Sequence, residues 1–478
     1  MADHTPETAG HGQPIISRRT TLQAAAGIGL AGIVGSTPVA AQSSGGDIDW
    51  EFDTGAAVHS SPTVVGSFVY VGNDDGSVYA LNASNAYERW EFETNGSVRS
   101  SPLVVDGLVF VGSNDNSLYV IDAESGEEVW TFETGGAVVS SPVVVDKTVY
   151  VGSRDGSLYA INAETGRQSW AYETGGQIDG SPVVVNGTVY IGSADGTLYA
   201  LAADSGEEVW RFETGGEIQT SPTVANELVY VSSEDSNVYA IGIESGEEQW
   251  SESLYRNGGL TAPTVAEGAY SRDTLFVADN VRVHALNAAV GGPRWSTRFD
   301  GSDPVAPTVM NNHVVAGDDN AVALDAETGE ELWNNGDGVT SAPTGADDTV
   351  FLGGGDSVSA LVSGTGGASE DSRVTLGTLG HHDGWRYADQ TLEIDTTQPE
   401  EEQTETAEPA EGNETDIDSN ETDTDTDEPT EQSGDDEEST ESSETGTNAP
   451  GFGIGTTIAA VSGASYLLRR RLGGDRDD

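Results

Sequence analysis

The chain has 478 residues, with 19 Lys and Arg against 81 Asp and Glu and a formal net charge of −62. Nucleic acid is excluded as a partner, because phosphate backbones are bound by clustered cations and the two short arginine clusters here both adjoin apolar segments. The absence of cysteine excludes a disulfide framework, a cysteine-ligated metal centre and a thiol nucleophile.

Residues 1–41 have the pattern of an export signal. Arg18 and Arg19 precede an uncharged apolar run from Ala24 to Val34, and small residues suited to signal peptidase follow that run. The paired arginines resemble the Tat signal, which exports proteins that are already folded. Thr21 stands where the Tat family prefers a large apolar residue, so export by the Sec route stays open as the alternative.

A tryptophan recurs along the middle of the chain, at first with a period of 40 residues, which is typical of repeat architectures. Each repeat contains four short runs of alternating, β-branched and aromatic residues, as in residues 141–172, and glycine-containing turns separate these runs. Each repeat is therefore predicted to form one four-stranded antiparallel sheet. The tryptophans are Trp50, Trp90, Trp130, Trp170, Trp210, Trp250, Trp295 and Trp333.

A single sheet of this kind cannot cover two apolar faces, whereas a circular array of sheets covers both and leaves only short edges exposed. The sequence therefore predicts an all-β fold over residues 42–362, an eight-bladed β-propeller of four-stranded antiparallel blades. The strand at Trp50 precedes the first complete repeat and the last repeat has only three strands, so the N-terminal strand is expected to close the last blade. The tryptophans are expected to pack between blades as structural residues rather than to stack on a cofactor.

Two short runs within the repeats resemble those of a known family. Asp-Gly-Ser-Leu-Tyr-Ala-Ile at 155–161 and Ala-Glu-Thr-Gly at 163–166, followed by Trp170, resemble the PQQ-like propeller repeat, which also occurs in bacterial outer-membrane assembly factors of the BamB type. The resemblance covers residues 48–362 and recurs in eight units.

The resemblance implies two functions. The favoured one is a scaffold that holds no cofactor and binds protein, peptide or glycan partners at the cell surface. The alternative is a quinoprotein dehydrogenase that oxidises alcohols or sugars with PQQ and calcium. Members similar to methanol dehydrogenase stack PQQ against a disulfide of adjacent cysteines, which a chain without cysteine cannot form. Other PQQ enzymes lack that disulfide, so the alternative stays open.

One position varies sharply between repeats, three residues before a proline that marks the inner strand. We expect the residues at this position to surround one mouth of the central channel, and His59, Arg99, Asp179 and Gln219 to form a polar ligand-binding site there. The alternative interpretation is a set of solvated loop residues. His59, Arg99 and Asp179 are also the residues nominated for the dehydrogenase. In chain order the position holds His59, Arg99, Val139, Asp179, Gln219, Leu260, Pro304 and Thr340.

No metal site and no catalytic residue is predicted. Asp-Gly pairs such as those beginning at Asp75, Asp155 and Asp195 are explained by tight turns. Metal binding by the His-His-Asp run at 381–383 would need further ligands from elsewhere in the chain, so a surface loop is the favoured interpretation.

Three further segments follow the propeller. Residues 363–395 fit no repeat and are interpreted as an irregular extension or a cap over one mouth. Residues 396–448 are rich in Thr, Ser, Glu and Asp without Lys or Arg, which predicts a disordered stalk. Residues 449–478 contain a Pro-Gly-Phe motif, an apolar run and the arginines at 469–471, and they resemble the PGF-CTERM anchor of haloarchaeal surface proteins. Retention as a transmembrane helix and exchange for a lipid both stay open.

Charge at the two ends predicts the location of the protein. Arginines flank both apolar end segments on the side that the positive-inside rule assigns to the cytoplasm, which leaves everything between them outside. The acidic composition, with Lys147 as the single lysine, resembles haloarchaeal proteins, since roughly molar salt screens like charges within a few ångströms. The sequence therefore predicts a monomeric propeller outside the cytoplasm, anchored to the outer face of the cell membrane.

Overall fold

The computed structural model describes residues 45–254, 259–266, 273–299, 304–310, 312–317, 320–336, 338–346, 348–364, 375–376 and 392. The predicted export signal, stalk and anchor, and most of the extension with its His-His-Asp run, lie outside these residues. Within the described ranges, no helix has the length and apolar character needed to cross a membrane.

The described residues form strands connected by short turns. In chain order the strands are β1 (Ile48–Asp53), β2 (Thr63–Val65), β3 (Phe68–Gly72), β4 (Ser77–Asn82), β5 (Glu88–Glu93), β6 (Leu103–Val105), β7 (Leu108–Gly112), β8 (Ser117–Asp122), β9 (Glu128–Glu133), β10 (Val143–Val145), β11 (Thr148–Gly152), β12 (Ser157–Asn162), β13 (Gln168–Glu173), β14 (Val183–Val185), β15 (Thr188–Gly192), β16 (Thr197–Ala202), β17 (Glu208–Glu213), β18 (Thr223–Ala225), β19 (Leu228–Ser232), β20 (Asn237–Gly242), β21 (Glu248–Ser253), β22 (Thr264–Ala266), β23 (Thr274–Asp279), β24 (Arg282–Asn287), β25 (Pro293–Arg298), β26 (Thr308–Met310), β27 (His313–Gly317), β28 (Ala321–Asp325), β29 (Glu331–Asn334), β30 (Thr344–Ala346), β31 (Thr349–Gly354), β32 (Ser357–Val362) and β33 (Thr375–Leu376).

These strands assemble into eight antiparallel blades, as predicted. Blades 1 to 7 are β2–β5, β6–β9, β10–β13, β14–β17, β18–β21, β22–β25 and β26–β29, and blade 8 is β30–β32 with β1. The first strands of neighbouring blades contact one another, including β2 with β30, so the first strands surround the central axis. The ring is therefore closed.

The N-terminal strand closes the last blade, as the sequence predicts. β1 pairs antiparallel with β32, with Trp50 opposite Ala360 and Phe52 opposite Val358. Both aromatic side chains are buried, whereas Glu51 between them and Asp53 after them are exposed, which is the period-2 pattern of an outer strand.

Antiparallel pairing gives each blade two ends. The mouth face is formed by the connections between blades and by the turns between second and third strands. The opposite face is formed by the turns between first and second strands and between third and fourth strands. In the mouth-face turns, Gly76, Gly156 and Gly196 have φ of 101°, 90° and 85°, a conformation that glycine adopts without steric cost.

Every predicted structural tryptophan contacts the next blade. Its indole N–H donates a hydrogen bond to a main-chain carbonyl in an opposite-face turn there, as from Trp130 to Ala163 at 3.1 Å and from Trp50 to Ala83 at 2.8 Å. A residue with positive φ packs against the ring, such as Gly206 against Trp170. The other bonds are Trp90 to Ala123, Trp170 to Ala203, Trp210 to Ile243, Trp250 to Ala288, Trp295 to Ala326 and Trp333 to Ser363.

Buried hydroxyl groups join the blades near the channel. The N–H of Ser61 donates to Ser101 Oγ at 3.1 Å, and the same bond is made from Ser101 to Ser141, from Ser141 to Ser181 and from Ser181 to Ser221. Because these bonds hold the connections that enter the inner strands of blades 1 to 5, they fix the backbone of the mouth face there.

Blade 5 has one additional strand. β33, from the segment after the last blade, pairs antiparallel with β18, with Leu376 opposite Thr223 and Thr375 opposite Val224. Since β18 is a first strand, β33 lies on the channel side of blade 5.

Candidate functional site

The variable position lies in the connection that enters the first strand of each blade, at the mouth face. His59 and Arg99 expose 37% and 42% of their side chains, whereas Leu260 is buried. Thr340 belongs to the ring closure, because its hydroxyl donates to the carbonyl of Val58 at 2.6 Å. The position therefore mixes exposed polar groups with structural ones.

Asp74 brings two of the predicted site residues together. This aspartate lies in the turn between β3 and β4 of blade 1, and it accepts two hydrogen bonds from Arg99 of the blade 2 connection, Nε to Oδ1 at 2.9 Å and Nη2 to Oδ2 at 3.0 Å. His59 Nδ1 lies 3.2 Å from Asp74 Oδ2. The three side chains form a polar group that spans the boundary between blades 1 and 2.

Arg154 and Asp179 repeat this pair with the charges exchanged. Arg154 lies in the turn of blade 3 that corresponds to Asp74, and it donates to Asp179 from Nε at 2.8 Å and from Nη2 at 2.9 Å. The hydrogen bond to the Asp179 carboxylate raises the pKa of Arg154. An acidic turn residue can thus pair with a basic connection residue, and a basic turn residue with an acidic connection residue.

Gln219 is not joined to the other three residues. Its amide Nε2 donates to Glu217 Oε2 at 2.7 Å within the same connection. The predicted residues therefore form separate polar groups on successive blades rather than one cluster, and their role in ligand binding stays a prediction.

The sequence analysis does not identify the partners Asp74 and Arg154. Both precede Asp-Gly pairs, for which the sequence indicates only tight turns. A signal for them exists: Asp74 precedes Arg99, and Arg154 precedes Asp179, by the same spacing of 25 residues with opposite charges. This spacing joins the mouth-face turn of one blade to the connection of the next.

Behind the mouth, an aspartate–tyrosine contact holds the mouth-face turn of blades 2 to 5. In blade 4, Asp195 Oδ1 accepts the N–H of Thr197, and Oδ2 accepts the Tyr199 hydroxyl at 2.6 Å and the N–H of Gly175. Burial alone would raise the pKa of Asp195, but these hydrogen bonds outweigh it and hold the pKa below its usual value. The same contact joins Asp115 to Tyr119, Asp155 to Tyr159 and Asp235 to Tyr239.

Blade 1 departs from this arrangement. Asn73, which stands where blades 2 to 5 have serine, accepts the N–H of Ser77 through Oδ1 and donates to the carbonyl of Thr54. In blades 2 to 5 the aspartate that corresponds to Asp75 accepts the main-chain N–H two residues further on; in blade 1 the Ser77 N–H donates to Asn73 instead. A cavity of about 450 Å³ lies here between β1 and blade 1, lined by Asp75, Tyr79 and other residues.

The described residues do not provide a donor set for a metal ion. No three His, Asp or Glu side chains within those ranges are arranged to hold one. Arg99 and Asp179 are already engaged by Asp74 and Arg154. As they are paired in the structure, these residues therefore do not fit PQQ with calcium.

The sequence matches one family profile over most of its length. The profile is described as outer membrane protein assembly factor BamB, and it matches residues 35–178, 173–266 and 257–393. No curated protein sequence matches the chain significantly.

Solved structures share the fold at low sequence identity. BamB from Moraxella catarrhalis has a TM-score of 0.58 at 16% identity, with 66% of this chain and 99% of that chain covered. The computationally designed protein Ika8 has a TM-score of 0.56 at 18% identity, with 65% and 97% covered. The quinohemoprotein alcohol dehydrogenase ADHIIG from Pseudomonas putida HK5 has a TM-score of 0.57 at 15% identity, with 67% and 76% covered. At these identities the similarity shows the fold alone.

Proposed function

This chain belongs to the family of the outer membrane protein assembly factor BamB, and we propose that it is an exported, membrane-tethered scaffold that binds a protein, peptide or glycan partner at its mouth face. Family membership supports a protein-assembly role, because the name of the family describes one. It does not identify the partner, which must come from the site.

The observation that carries the proposal is the contrast between constant and variable positions. The tryptophan contacts repeat in every blade and the serine contacts in several, whereas the mouth-face connection changes from His59 to Arg99 to Asp179. A ring needs no such variation to fold, since the serine bonds already hold the connections of blades 1 to 5 and the indole bonds hold the opposite-face turns. Variation on a fixed backbone is the usual design of a recognition surface.

The charged groups at the mouth are held in position but keep exposed hydrogen-bonding capacity. Arg99 uses Nε and Nη2 toward Asp74, and 42% of its side chain is exposed, so further guanidinium N–H groups can donate to a partner. Arg154 is similarly exposed at 38%. Because both are already ordered, a partner loses little conformational entropy in binding them.

Export and tethering rest on the sequence patterns at the two ends. The Tat-like signal, the acidic stalk and the PGF-CTERM-like segment support a propeller outside the cytoplasm on a long tether, in a haloarchaeal cell surface. A tether keeps the propeller close to partners on the same surface, so their effective concentration at the mouth is raised.

Recovery of partners from intact cells in high salt tests the proposal. The double variant Arg99→Ala, Asp179→Ala should recover at least about tenfold less partner than the unaltered protein, since hot-spot charges at interfaces contribute more than about 1.4 kcal/mol. The matched control is Lys147→Ala, which removes an ion pair with Glu164 on the opposite face. Equal recovery by the mouth variant and the control would remove the mouth from consideration.

The dehydrogenase alternative is supported by one observation, the shared fold with quinohemoprotein alcohol dehydrogenases. Adding PQQ and calcium to the purified protein and following alcohol-dependent dye reduction tests it. If the unaltered protein reduces the dye and the His59→Ala variant does not, the dehydrogenase replaces the scaffold proposal. If the unaltered protein does not reduce the dye, the scaffold proposal stands.

A further inference from the structure

The third residue of the second strand is a tyrosine or a phenylalanine in every blade except blade 7. In blades 3, 4 and 5 it is a tyrosine whose hydroxyl donates to a main-chain carbonyl of the next blade, from Tyr150 at 2.9 Å, from Tyr190 at 3.3 Å and from Tyr230 at 3.0 Å. The same three carbonyls accept the indole bonds described above. In blades 2, 6 and 8 the position holds phenylalanine, which has no hydroxyl to satisfy. In these six blades the hydroxyl is therefore either bonded or absent.

Tyr70, at this position in blade 1, is the exception. Only 4% of the residue is exposed, yet its hydroxyl makes no hydrogen bond within the described part of the chain. The carbonyl of Ala123, which corresponds to the acceptors in the other blades, accepts the indole N–H of Trp90 at 3.0 Å but not this hydroxyl. A buried hydroxyl without a partner costs free energy, and Phe110 in the next blade shows that the ring packs without one. Packing therefore does not explain the hydroxyl of Tyr70.

Tyr70 lines a cavity of about 520 Å³ on the opposite face, between blades 1 and 2, which we call the rim cavity. Arg89 of blade 1 and Asp106 and Asp122 of blade 2 are among its other walls. Burial is the main cause that raises the pKa of Tyr70, and beyond it Arg89 lowers the pKa and Asp122 raises it, so both charges act on the hydroxyl. Ligand pockets have volumes of about 300–1,000 Å³. The buried hydroxyl therefore borders a space large enough for a small ligand.

The charged walls of the rim cavity are ordered but keep hydrogen-bonding capacity. Arg89 Nε donates to the carbonyl of Glu124 at 2.9 Å. Asp122 accepts the bonds of its own turn through Oδ1, and Asp106 Oδ2 accepts the main-chain N–H of Leu392 at 2.7 Å. Among the described residues, Arg89 Nη1, Asp106 Oδ1 and Asp122 Oδ2 make no hydrogen bond. The walls thus offer donors and acceptors that a ligand can use without rearrangement.

The charges of these walls favour a neutral ligand. Carboxylates outnumber the one guanidinium, which disfavours an anion, and the guanidinium disfavours a cation. In the ranges that the structure describes, no three acidic or histidine side chains are placed to hold a metal ion. A sugar hydroxyl donates to a carboxylate and accepts from a guanidinium or a phenol, so neighbouring hydroxyls satisfy both kinds of wall. Leu108 and Ala123 add an apolar surface for the C–H groups of a sugar ring.

We propose that the rim cavity binds a neutral hexose, with the Tyr70 hydroxyl as the group that the free protein leaves unused. Arg89 donates to one sugar hydroxyl, Asp122 accepts from another, and Tyr70 does either. The site lies on the face opposite to the mouth, and it does not rest on the proposed function.

Calorimetric titration of the full-length protein in high salt tests the site. The probes are glucose, galactose and mannose, each as the free sugar and as its methyl glycoside, with glucuronate as the anionic comparison. The variant is Tyr70→Phe, and the matched control is Tyr190→Phe, which removes the same hydroxyl in blade 4. At least one neutral probe should bind the unaltered protein and the control equally, and Tyr70→Phe about tenfold more weakly, as for loss of one hydrogen bond. Tighter binding of the methyl glycoside would identify a glycan terminus as the natural ligand, and tighter binding of the free sugar a monosaccharide.

Thermal denaturation without sugar provides a second measurement, because it separates a bonded hydroxyl from an unbonded one. Tyr190→Phe should melt at a lower temperature than the unaltered protein, since it loses the bond to the Ile243 carbonyl, whereas Tyr70→Phe should melt no lower. A saturating neutral hexose should then raise the melting temperature of the unaltered protein more than that of Tyr70→Phe.

Three outcomes would overturn the proposal: no binding of any neutral probe, equal binding by Tyr70→Phe and the unaltered protein, or tighter binding of glucuronate than of the neutral sugars. A lower melting temperature of Tyr70→Phe without sugar would also overturn it, because the hydroxyl would then have a partner within the protein. Neither measurement includes a partner of the mouth, so failure here leaves the mouth test unaffected.

Discussion

The indole N–H of Trp130, in blade 2, donates to the carbonyl of Ala163, in blade 3, at 3.1 Å. Only 3% of the tryptophan is exposed. The bond crosses the boundary between blades 2 and 3, which the Ser101–Ser141 bond also crosses near the channel. It gives the Ala163 carbonyl a donor, and the ring lies against Gly166.

Trp130→Phe should lower the free energy of unfolding by about 2–3 kcal/mol, because the Ala163 carbonyl loses its donor and the smaller ring leaves a gap. Denaturant titration in high salt measures the change. The control Glu133→Gln, at an exposed position of the same strand, should change it by less than about 0.5 kcal/mol. Equal effects would mean that the indole bond does not stabilise the boundary.

Gly206→Ala should destabilise the propeller more than Gly187→Ala does. Both glycines lie in blade 4 with φ of 73° and 76°, so both variants incur a similar backbone strain of about 1–2 kcal/mol. A Cβ at Gly206 would lie 2.6 Å from the Trp170 ring, whereas a Cβ at Gly187 meets nothing within 4 Å. Thermal denaturation measures the difference, and equal melting temperatures would contradict packing of this turn on the indole.

Exchanging the charges of Arg154 and Asp179 should restore stability that either single reversal removes. Asp179→Arg alone places two guanidinium groups together and should cost about 1 kcal/mol, a modest value because the side chains are 38% and 22% exposed in the native pair. Adding Arg154→Asp recreates the order seen at Asp74 and Arg99. A double-mutant cycle at the lowest salt that keeps the protein folded measures the coupling, and additive effects would contradict it.

The aspartate–tyrosine contacts should make the propeller sensitive to alkali. Burial, and then the hydrogen bond to Asp115, raise the pKa of Tyr119 to about 12. A raised pKa means that the folded state favours the protonated phenol, so this contribution is complete below pH of about 10 and is lost as pH rises from about 10 to about 12. Tyr119→Phe should therefore be less stable at neutral pH but should show a smaller loss across that window.

Unfolding measured across the alkaline range checks this, with Tyr87→Phe as the control, because Tyr87 is 71% exposed. An identical alkaline loss in Tyr119→Phe and the unaltered protein would contradict the assignment of the loss to this contact.

Deletion of residues 47–54 should abolish cooperative unfolding of the whole propeller. The deletion removes β1, and with it the buried Trp50 and Phe52 and the outer strand of blade 8. Calorimetry should show no transition at the melting temperature of the unaltered protein. A synthetic peptide of residues 47–54 should restore the transition in part. An unchanged melting temperature would contradict the closure by β1.

The fold could be predicted from the sequence because its determinants recur. The periodic tryptophans and turn glycines specify one blade, and the unmatched strand at Trp50 specifies how the ring closes. The mouth could be located from variation at the His59 and Arg99 position, but its partners could not, since Asp74 contacts residues of two connections and belongs to a turn of a different strand pair.

Two features had no repeat to reveal them. Asn73 takes over a bond that an aspartate makes in blades 2 to 5, and this depends on a side-chain amide that donates and accepts at once. Leu392 is a single apolar residue in a segment without periodicity, and its partner Asp106 is far away in sequence. Contacts of this kind are fixed by tertiary geometry rather than by local pattern.

The boundary between blades 8 and 1 uses the same bonds as the internal boundaries. Trp50 donates to Ala83 as Trp90 does to Ala123, and the Thr344 hydroxyl donates to the carbonyl of Pro62 as that of Thr63 does to Pro102. The polypeptide crosses this boundary without a break, because the break in the ring lies inside blade 8, between β32 and β1. No boundary between blades is therefore special, and a gene rearranged to begin between the third and fourth strands of another blade, with β32 and β1 linked, would encode the same set of interactions.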